Sequence, residues 1–263
     1  MRNGPPRDYD ELVHPETWPL SAGFHAATKL TERRGIELEE RAAAFAQQAE
    51  ERWPGSPKSY PSRPQLPLPR APERWFGTPL ERALRGRRSQ RGAFREAPLE
   101  LARLGALLEH AFGITRPGTE LAPALRAFPS AGGLFPLEIY VATLQCQGVP
   151  RAVHHYDPTT HALAELAPCP ATPRGFWFSD NEHPALAVFL TAVFARTQGK
   201  YDERGYRFAL LEAGHAMQNA LLVAHALKMG ALPVGGFCED AIGSWLGLDA
   251  QRESTVYAGL FGS

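Results

Sequence analysis

The order of patterns along the 263 residues predicts an α+β fold, with helices packed on a central mixed or antiparallel sheet. Three observations carry this expectation. Strand-like segments at Leu137–Leu144, Val153–Tyr156 and His161–Leu166 follow one another with turns, not helices, between them. A continuous apolar run, Leu186–Ala195, precedes a helix-length apolar stretch, Tyr206–Met229. Short apolar runs at Leu232–Phe237 and Val256–Phe261 come last, so helix and strand are mixed in blocks and a Rossmann array of regular βαβ units is disfavoured.

Each element has a local reason. Glu37–Arg52 (ELEERAAAFAQQAEER) is rich in Ala, Glu and Gln, all strong helix formers, and predicts a helix. Seven prolines between Pro54 and Pro72 remove backbone donors and fix φ so often that neither a helix nor a central strand can form, which reads as an extended linker. The organisation is thus a helical extension over 1–53, a proline-rich linker over 54–75 and a main domain over 76–263. Thr78-Pro79-Leu80-Glu81 has Thr at the N-cap, Pro at the first helical position and Glu at the third, a capping box that starts a helix. Pro98 starts a second helix, with Leu101, Leu104, Leu108 and Ala111 on one face and Gly113 at the C-cap. Asp157-Pro158 turns one strand back on the next. Within Tyr206–Met229 the charged and polar side chains are few, Arg207 at the start and then Glu212, His215, Gln218, Asn219, His225 and Lys228, which puts that helix at the centre or at a subunit interface.

Composition narrows the function. With 44% hydrophobic and 21% charged residues the chain is globular rather than disordered. Lys and Arg (28) balance Asp and Glu (28), so the footprint of a duplex-binding protein is missing while a local basic patch remains free for a small anion. Three dispersed cysteines (Cys146, Cys169, Cys238) suit neither a disulfide framework nor a zinc knuckle and point to a reducing compartment. Met1–Asp10 lacks a secretory signal, and the longest apolar run, Pro184–Ala195, is too short for a bilayer, so a cytoplasmic address is expected.

Four places could carry chemistry. Arg85-Gly-Arg-Arg-Ser-Gln-Arg91 offers guanidinium forks and the Ser89 hydroxyl, donors that match phosphate oxygens; a solvated basic face is the plainer alternative. Pro129-Ser-Ala-Gly-Gly-Leu-Phe-Pro136 and Gly235-Gly236 are small-residue turns whose backbone can approach a flat or anionic ligand. Lys200-Tyr201 stands where a base and a proton donor could face a pocket, although most such pairs are surface residues. His154, His155, Asp157 and His161 suggest a metal, but neighbours on a strand point to opposite faces, so no metal site is expected. His215 and His225 are nearly three helical turns apart, too far for one ion. Walker, Gly-x-Ser-x-Gly and HExxH motifs do not occur.

Taken together, Thr78–Gly262 resembles the flavin-dependent nitroreductase superfamily, and within it the SagB-type thiazoline/oxazoline dehydrogenases of ribosomal peptide natural product biosynthesis. The residues that carry the resemblance are Arg87-Arg-Ser-Gln-Arg91, Pro129–Pro136 followed by Leu-Glu-Ile-Tyr140, His155-Tyr-Asp157, Lys200-Tyr201, Glu203-Arg-Gly-Tyr-Arg207, Glu212-Ala-Gly-His215 with Gln218-Asn219, and Gly235-Gly-Phe237. The resemblance implies an intertwined homodimer with FMN in a cleft between subunits. It assigns Arg87, Arg88, Ser89 and Arg91 to the phosphate and ribityl chain, and has Ser130, Ala131, Gly132 and Gly133 reach over from the partner. It sets Gly235 and Gly236 beside the isoalloxazine and makes Lys200 and Tyr201 the catalytic pair. Many members carry a basic residue near the C-terminus; Gly259–Ser263 has none, which leaves the phosphate to the arginines.

The implied activity is oxidation of an azoline-containing precursor peptide beside a cyclodehydratase complex. An NAD(P)H-dependent nitro or quinone reductase, and a non-catalytic scaffold of a peptide-modifying complex, are the alternatives. His25-Ala-Ala-Thr-Lys29 is the segment of the first 75 residues that best matches the family, and that region reads as a place for a partner or leader peptide.

Overall fold

Seven antiparallel strands form the central sheet of the structure, a computed structural model that describes residues 19–49, 56–72, 75, 77–119, 124–170, 176–177 and 181–263. Two helices come first, α1 (Pro19–Ala27) and α2 (Glu32–Ala49), then strand β1 (Gln65–Pro67) and helices α3 (Leu80–Gly86) and α4 (Leu101–Phe112). A small two-stranded sheet, β2 (Ile114–Arg116) with β3 (Leu125–Arg126), leads to β4 (Leu137–Thr143), β5 (Ala152–Asp157), β6 (Ala162–Pro168) and β7 (Leu186–Val193). The remainder is α5 (Ala195–Tyr201), α6 (Arg204–Ala226), β8 (Gly230–Val234), α7 (Glu239–Leu246) and β9 (Glu253–Gly262). The strand order is β1-β6-β5-β4-β7-β9-β8.

The two central strands are apolar throughout because both sheet faces are covered. Along β4, Leu137, Ile139 and Val141 enter one core and Tyr140 and Ala142 the other. Along β7, Leu186, Val188 and Leu190 alternate in the same way with Ala187 and Phe189. The first core is closed by α4 and α6. A stripe of alanines on α6 (Ala209, Ala213, Ala216, Ala220, Ala224) lets it lie close to Leu104, Leu108 and Phe112 of α4. The second core is closed by Ile242 and Leu246 of α7. Each of these buried Leu, Ile, Val and Phe side chains contributes roughly 1.5–3 kcal/mol of transfer free energy.

Several boundaries differ from the sequence expectation, each for a local reason. Thr78 caps nothing: α3 begins at Leu80 after Pro79, with no side-chain capping bond. Pro98 lies outside α4, because Leu99 spends its backbone on Cys146, receiving from Gln147 N and donating to Gln145 O, so the helix starts after Glu100. Gly113 is the C-cap but stays at φ −68, since the chain runs straight on into β2 and needs no left-handed reversal. Helix α2 starts at Glu32, five residues ahead of Glu37, because Thr31 Oγ1 accepts from Arg34 N at 3.3 Å and its carbonyl from Gly35 N at 2.8 Å. Within the proline-dense stretch, Gln65–Pro67 pairs with β6 at the sheet edge, where a proline's missing donor costs no ladder bond. The expectations for Met1–Asp10 and for residues 50–52 lie outside the described residues. Among the described residues no helix is long and apolar enough to cross a membrane.

Candidate active site

The site residues fall into two groups at opposite ends of α6. At its N-terminal end, Gly205 allows α5 to lie against α6: a Cβ there would stand 2.6 Å from Thr197 C and Gln198 N. The chain reverses between the helices at Asp202, a non-glycine residue held at φ 53. Lys200 and Tyr201, half-buried, end α5, with the Lys200 ammonium 5.3 Å from the Tyr201 ring centre. The Tyr201 ring in turn meets Phe208 edge-on at 5.0 Å.

The Ser130–Gly133 turn packs onto this pair from within the same chain. Gly132 takes φ 63, and a Cβ on it would lie 2.6 Å from Tyr201 Oη and 3.0 Å from Lys200 Nζ, so only glycine fits. Ser130 Oγ accepts from Phe135 N at 2.8 Å and closes the turn. The Ser130–Gly133 turn, read separately from the sequence, thus meets Lys200 and Tyr201 through Gly132.

Buried charge supports that cluster from below. Glu138, in the middle of an apolar strand, receives Arg196 Nη2 at 2.6 Å, Lys58 N at 2.9 Å and His155 Nε2 at 2.7 Å. Burial opposes its charge, but His155, Arg196 and Arg126 outweigh burial and hold the carboxyl at about 2. Arg196, on the first turn of α5, also donates to Phe135 O at 3.1 Å and Ser56 O at 3.0 Å, tying α5 to the Ser130 loop and to the chain ahead of β1. Glu253 accepts from Thr191 Oγ1 at 2.5 Å, from Tyr140 Oη at 3.2 Å and from the Lys58 ammonium. Among the described residues neither carboxylate oxygen of buried Glu212 has a partner at full hydrogen-bonding geometry. Burial pushes that carboxyl up to about 7, with the nearby Ser130 hydroxyl, Arg126 and Arg196 pulling the other way. The sequence signal for Glu138 is a charged residue inside an apolar strand, LEIYVATL, a pattern that by itself assigns it no partner. His155 serves Glu138 while His154 is buried separately, and among the described residues no three His, Cys, Asp or Glu side chains gather as a metal would require.

At the other end of α6 the arginine loop follows α3. Gly86 sits against His225, where a Cβ would come within 2.6 Å of Nε2, and Gln90 N donates to Ala231 O of β8 at 2.8 Å. Arg88, Ser89 and Arg91 are exposed and Arg87 is half-buried. Arg88 folds over its own loop, donating to Arg85 O at 2.7 Å and Arg87 O at 2.8 Å. Among the described residues no carboxylate pairs with Arg87, Arg88 or Arg91, which leaves three cations open to an anion. Gly235 and Gly236 follow β8, exposed, with no atom within 4 Å of the place a Gly235 Cβ would take. A phosphate at the arginines and a flat ring along the open glycine edge fit these residues. The 23 residues of α6 span about 34 Å, so the arginine loop and the Lys200 cluster of one chain stand a helix length apart.

The sequence model of the nitroreductase family matches residues 84–263. The chain belongs to the nitroreductase family. A protein of Methanocaldococcus jannaschii described as a nitroreductase is 31% identical over 168 residues, covering 62% of this chain and 81% of the relative. The microcin B17-processing protein McbC of Escherichia coli is 29% identical over 173 residues, 62% of each chain. The chain therefore spans under two thirds of McbC. Among solved structures, the E. coli microcin synthetase McbBCD complex with truncated pro-MccB17 bound has a chain sharing the nitroreductase fold. Its TM-score is 0.59 at 22% identity, over 89% of this chain and 98% of that one. A structure from Anabaena variabilis described as a nitroreductase gives TM-score 0.65 at 23% identity over 91% of this chain, which spans only 45% of it.

Proposed function

We propose that this nitroreductase-family protein is an FMN-dependent, homodimeric azoline dehydrogenase that oxidises thiazolines or oxazolines in a precursor peptide to thiazoles or oxazoles. The observation that carries the reading is the packing of Lys200 and Tyr201 against Gly132, on the loop assigned to the flavin cleft. The separation of the two residue groups by the length of α6 supports a composite site, in which one chain supplies Arg87–Arg91 and Gly235–Gly236 and its partner supplies Ser130–Gly133 with Lys200–Tyr201. A two-fold axis perpendicular to α6 would put the N-terminal end of one α6 beside the C-terminal end of the other. The similarity to a microcin-processing protein, and to a synthetase complex holding a truncated precursor, supports a peptide substrate and a multi-protein assembly.

Aromatising an azoline removes one proton and one hydride from its ring. FMN, when bound, supplies the hydride acceptor. Lys200 Nζ takes the proton from the ring carbon that was the residue's Cα, and Tyr201 Oη beside it orients the ring and relays that proton. Gly132 excludes a side chain from the contact, and Arg196 fixes both α5 and the Ser130 loop, so the pair is set before substrate arrives. Arg87, Arg88 and Arg91 hold the phosphate, with Ser89 adding a neutral donor.

Lys200→Ala should keep its flavin and lose azoline oxidation, by about 10² to 10⁴-fold for a positioned acid–base group. Arg88→Ala should be purified with less flavin. Full turnover of an azoline peptide by Lys200→Ala overturns the assignment. A second reading, an NAD(P)H-dependent nitro or quinone reductase, draws support from the M. jannaschii relative and is favoured if NAD(P)H reduces the flavin rapidly and azoline peptides do not.

A further inference from the structure

We propose that the N-terminal helices α1 and α2 are a positioning element for the Lys200-Tyr201 pair, with Arg41 and Phe45 as positioning residues. This rests on the reading of that pair as catalytic.

The contacts bracket the pair on both sides. Before it, Arg41 Nε donates to Gly199 O at 3.0 Å and Arg41 Nη2 to Gln198 O at 3.5 Å. These carbonyls belong to the last turn of α5, whose C-terminal oxygens have few intrahelical partners, and a guanidinium is the group that best satisfies such a helix end. Phe45 lies on the same turn: a Cβ on Gly199 would stand 3.3 Å from its ring. After the pair, Arg204 Nη1 donates to Thr28 O at 2.9 Å and Arg207 Nη2 to His25 O at 2.8 Å. Phe24 meets Tyr206 edge-on at 5.4 Å and lies under the Arg207 guanidinium at 5.5 Å. Arg204, Tyr206 and Arg207 thus grip α1 and the residue that follows it.

Between the two sets of contacts sits Asp202 at φ 53, a strained conformation for a non-glycine residue, which persists only where surrounding contacts over-determine it. α5 itself is seven residues long, too short to be stable alone. The last turn of α5 is therefore held in place by Arg41 and Phe45 from outside, and by Gly205 packing from within. Among the described residues the hydrogen bonds of Arg41 to α5 go to Gly199 O and Gln198 O, so it acts on Lys200 and Tyr201 through the carbonyls that precede them.

The test uses the full-length flavoprotein with Arg41→Ala and Arg41→Lys, read by amide hydrogen exchange over residues 198–203, by flavin content, and by kcat and KM on an azoline peptide. The Asp202 amide, bonded to Gln198 O at 2.9 Å, is the direct reporter. Arg41→Ala is expected to exchange these amides about ten- to a hundredfold faster, the size of one lost charged hydrogen bond. It should lower kcat by about tenfold or more with KM and flavin content unchanged, because a small misplacement costs turnover rather than binding. Arg41→Lys, which keeps a cationic donor, should recover most of both. Unchanged exchange in Arg41→Ala overturns the proposal, as does a kcat loss that Arg41→Lys leaves unrepaired. If Arg41→Ala does not fold, Phe45→Leu gives the same readouts at the second contact. Should the wild-type protein oxidise no azoline peptide, the functional reading falls on that ground alone, while the exchange data still decide whether α2 holds the segment.

Discussion

Glu138 is the residue on which several parts of the site converge. One carboxylate reaches His155 of β5, Arg196 of α5 and the backbone of Lys58, so it joins the sheet, the Lys200 helix and the chain ahead of β1. A carboxyl held at about 2 in the folded state, against an ordinary 4.5, stabilises the fold above pH 4.5, and this contribution is lost as pH falls from 4.5 towards 2. Glu138→Gln should therefore lower stability at neutral pH by roughly 3 kcal/mol, the cost of stripping a buried charged partner from Arg196. It should also flatten the loss of stability between those two pH values, a change that denaturant unfolding across pH would register. A variant that keeps the wild-type acid limb would remove Glu138 from this role. Here the sequence spoke only partly. Lys200, Tyr201 and the arginines stood out as candidates because they sit in recognisable runs of residues. Glu138 and Glu253 did not, because an isolated carboxylate in a strand acquires its partners only when β5, α5 and residues 56–60 converge on it.

At the scale of elements, close approach decides what α5 can do. Gly205→Ala drives a methyl into the Thr197 and Gln198 backbone, and neither side can yield as a flexible side chain would. The expected result is destabilisation of about 1–3 kcal/mol, typical of overpacking, with weakened azoline oxidation. Gly35→Ala in α2 meets nothing within 4 Å and should instead stabilise that helix by about 0.5–1 kcal/mol. Thermal unfolding of the two variants gives opposite signs if the packing is as described. The same contrast explains which element boundaries were readable. Periodicity identified α4 and α6 because each buries one regular stripe. Their exact starts depended on partners far away in sequence, such as the Cys146 bridge that occupies Leu99. Helix α1 was missed because its nine residues carry neither a long stripe nor an acidic first turn.

For the whole molecule the proposed two-chain site requires two residue groups a helix length apart in one chain to serve one ligand. Leu211, 60% exposed, and Leu210, 40% exposed, mark a side of α6 that its own chain leaves bare while burying the alanine stripe opposite. If a second copy covers that side, Leu211→Glu should shift the protein from dimer to monomer in sedimentation and strip it of flavin in the same step. A monomeric variant with full flavin content would contradict the two-chain site. The sequence conveyed the α+β layering well, since the core strands and helices are patterned by burial. The placing of the two groups of candidate residues at opposite ends of α6 was hidden, because it depends on the direction in which α6 runs between β7 and β8.

The most direct test of the central claim is anaerobic flavin absorbance on mixing the purified protein with an azoline peptide. Bleaching by the peptide in the wild-type protein, and none in Lys200→Ala carrying the same amount of flavin, is the predicted result. Equal bleaching in both proteins, or bleaching by NAD(P)H but not by the peptide, would contradict it.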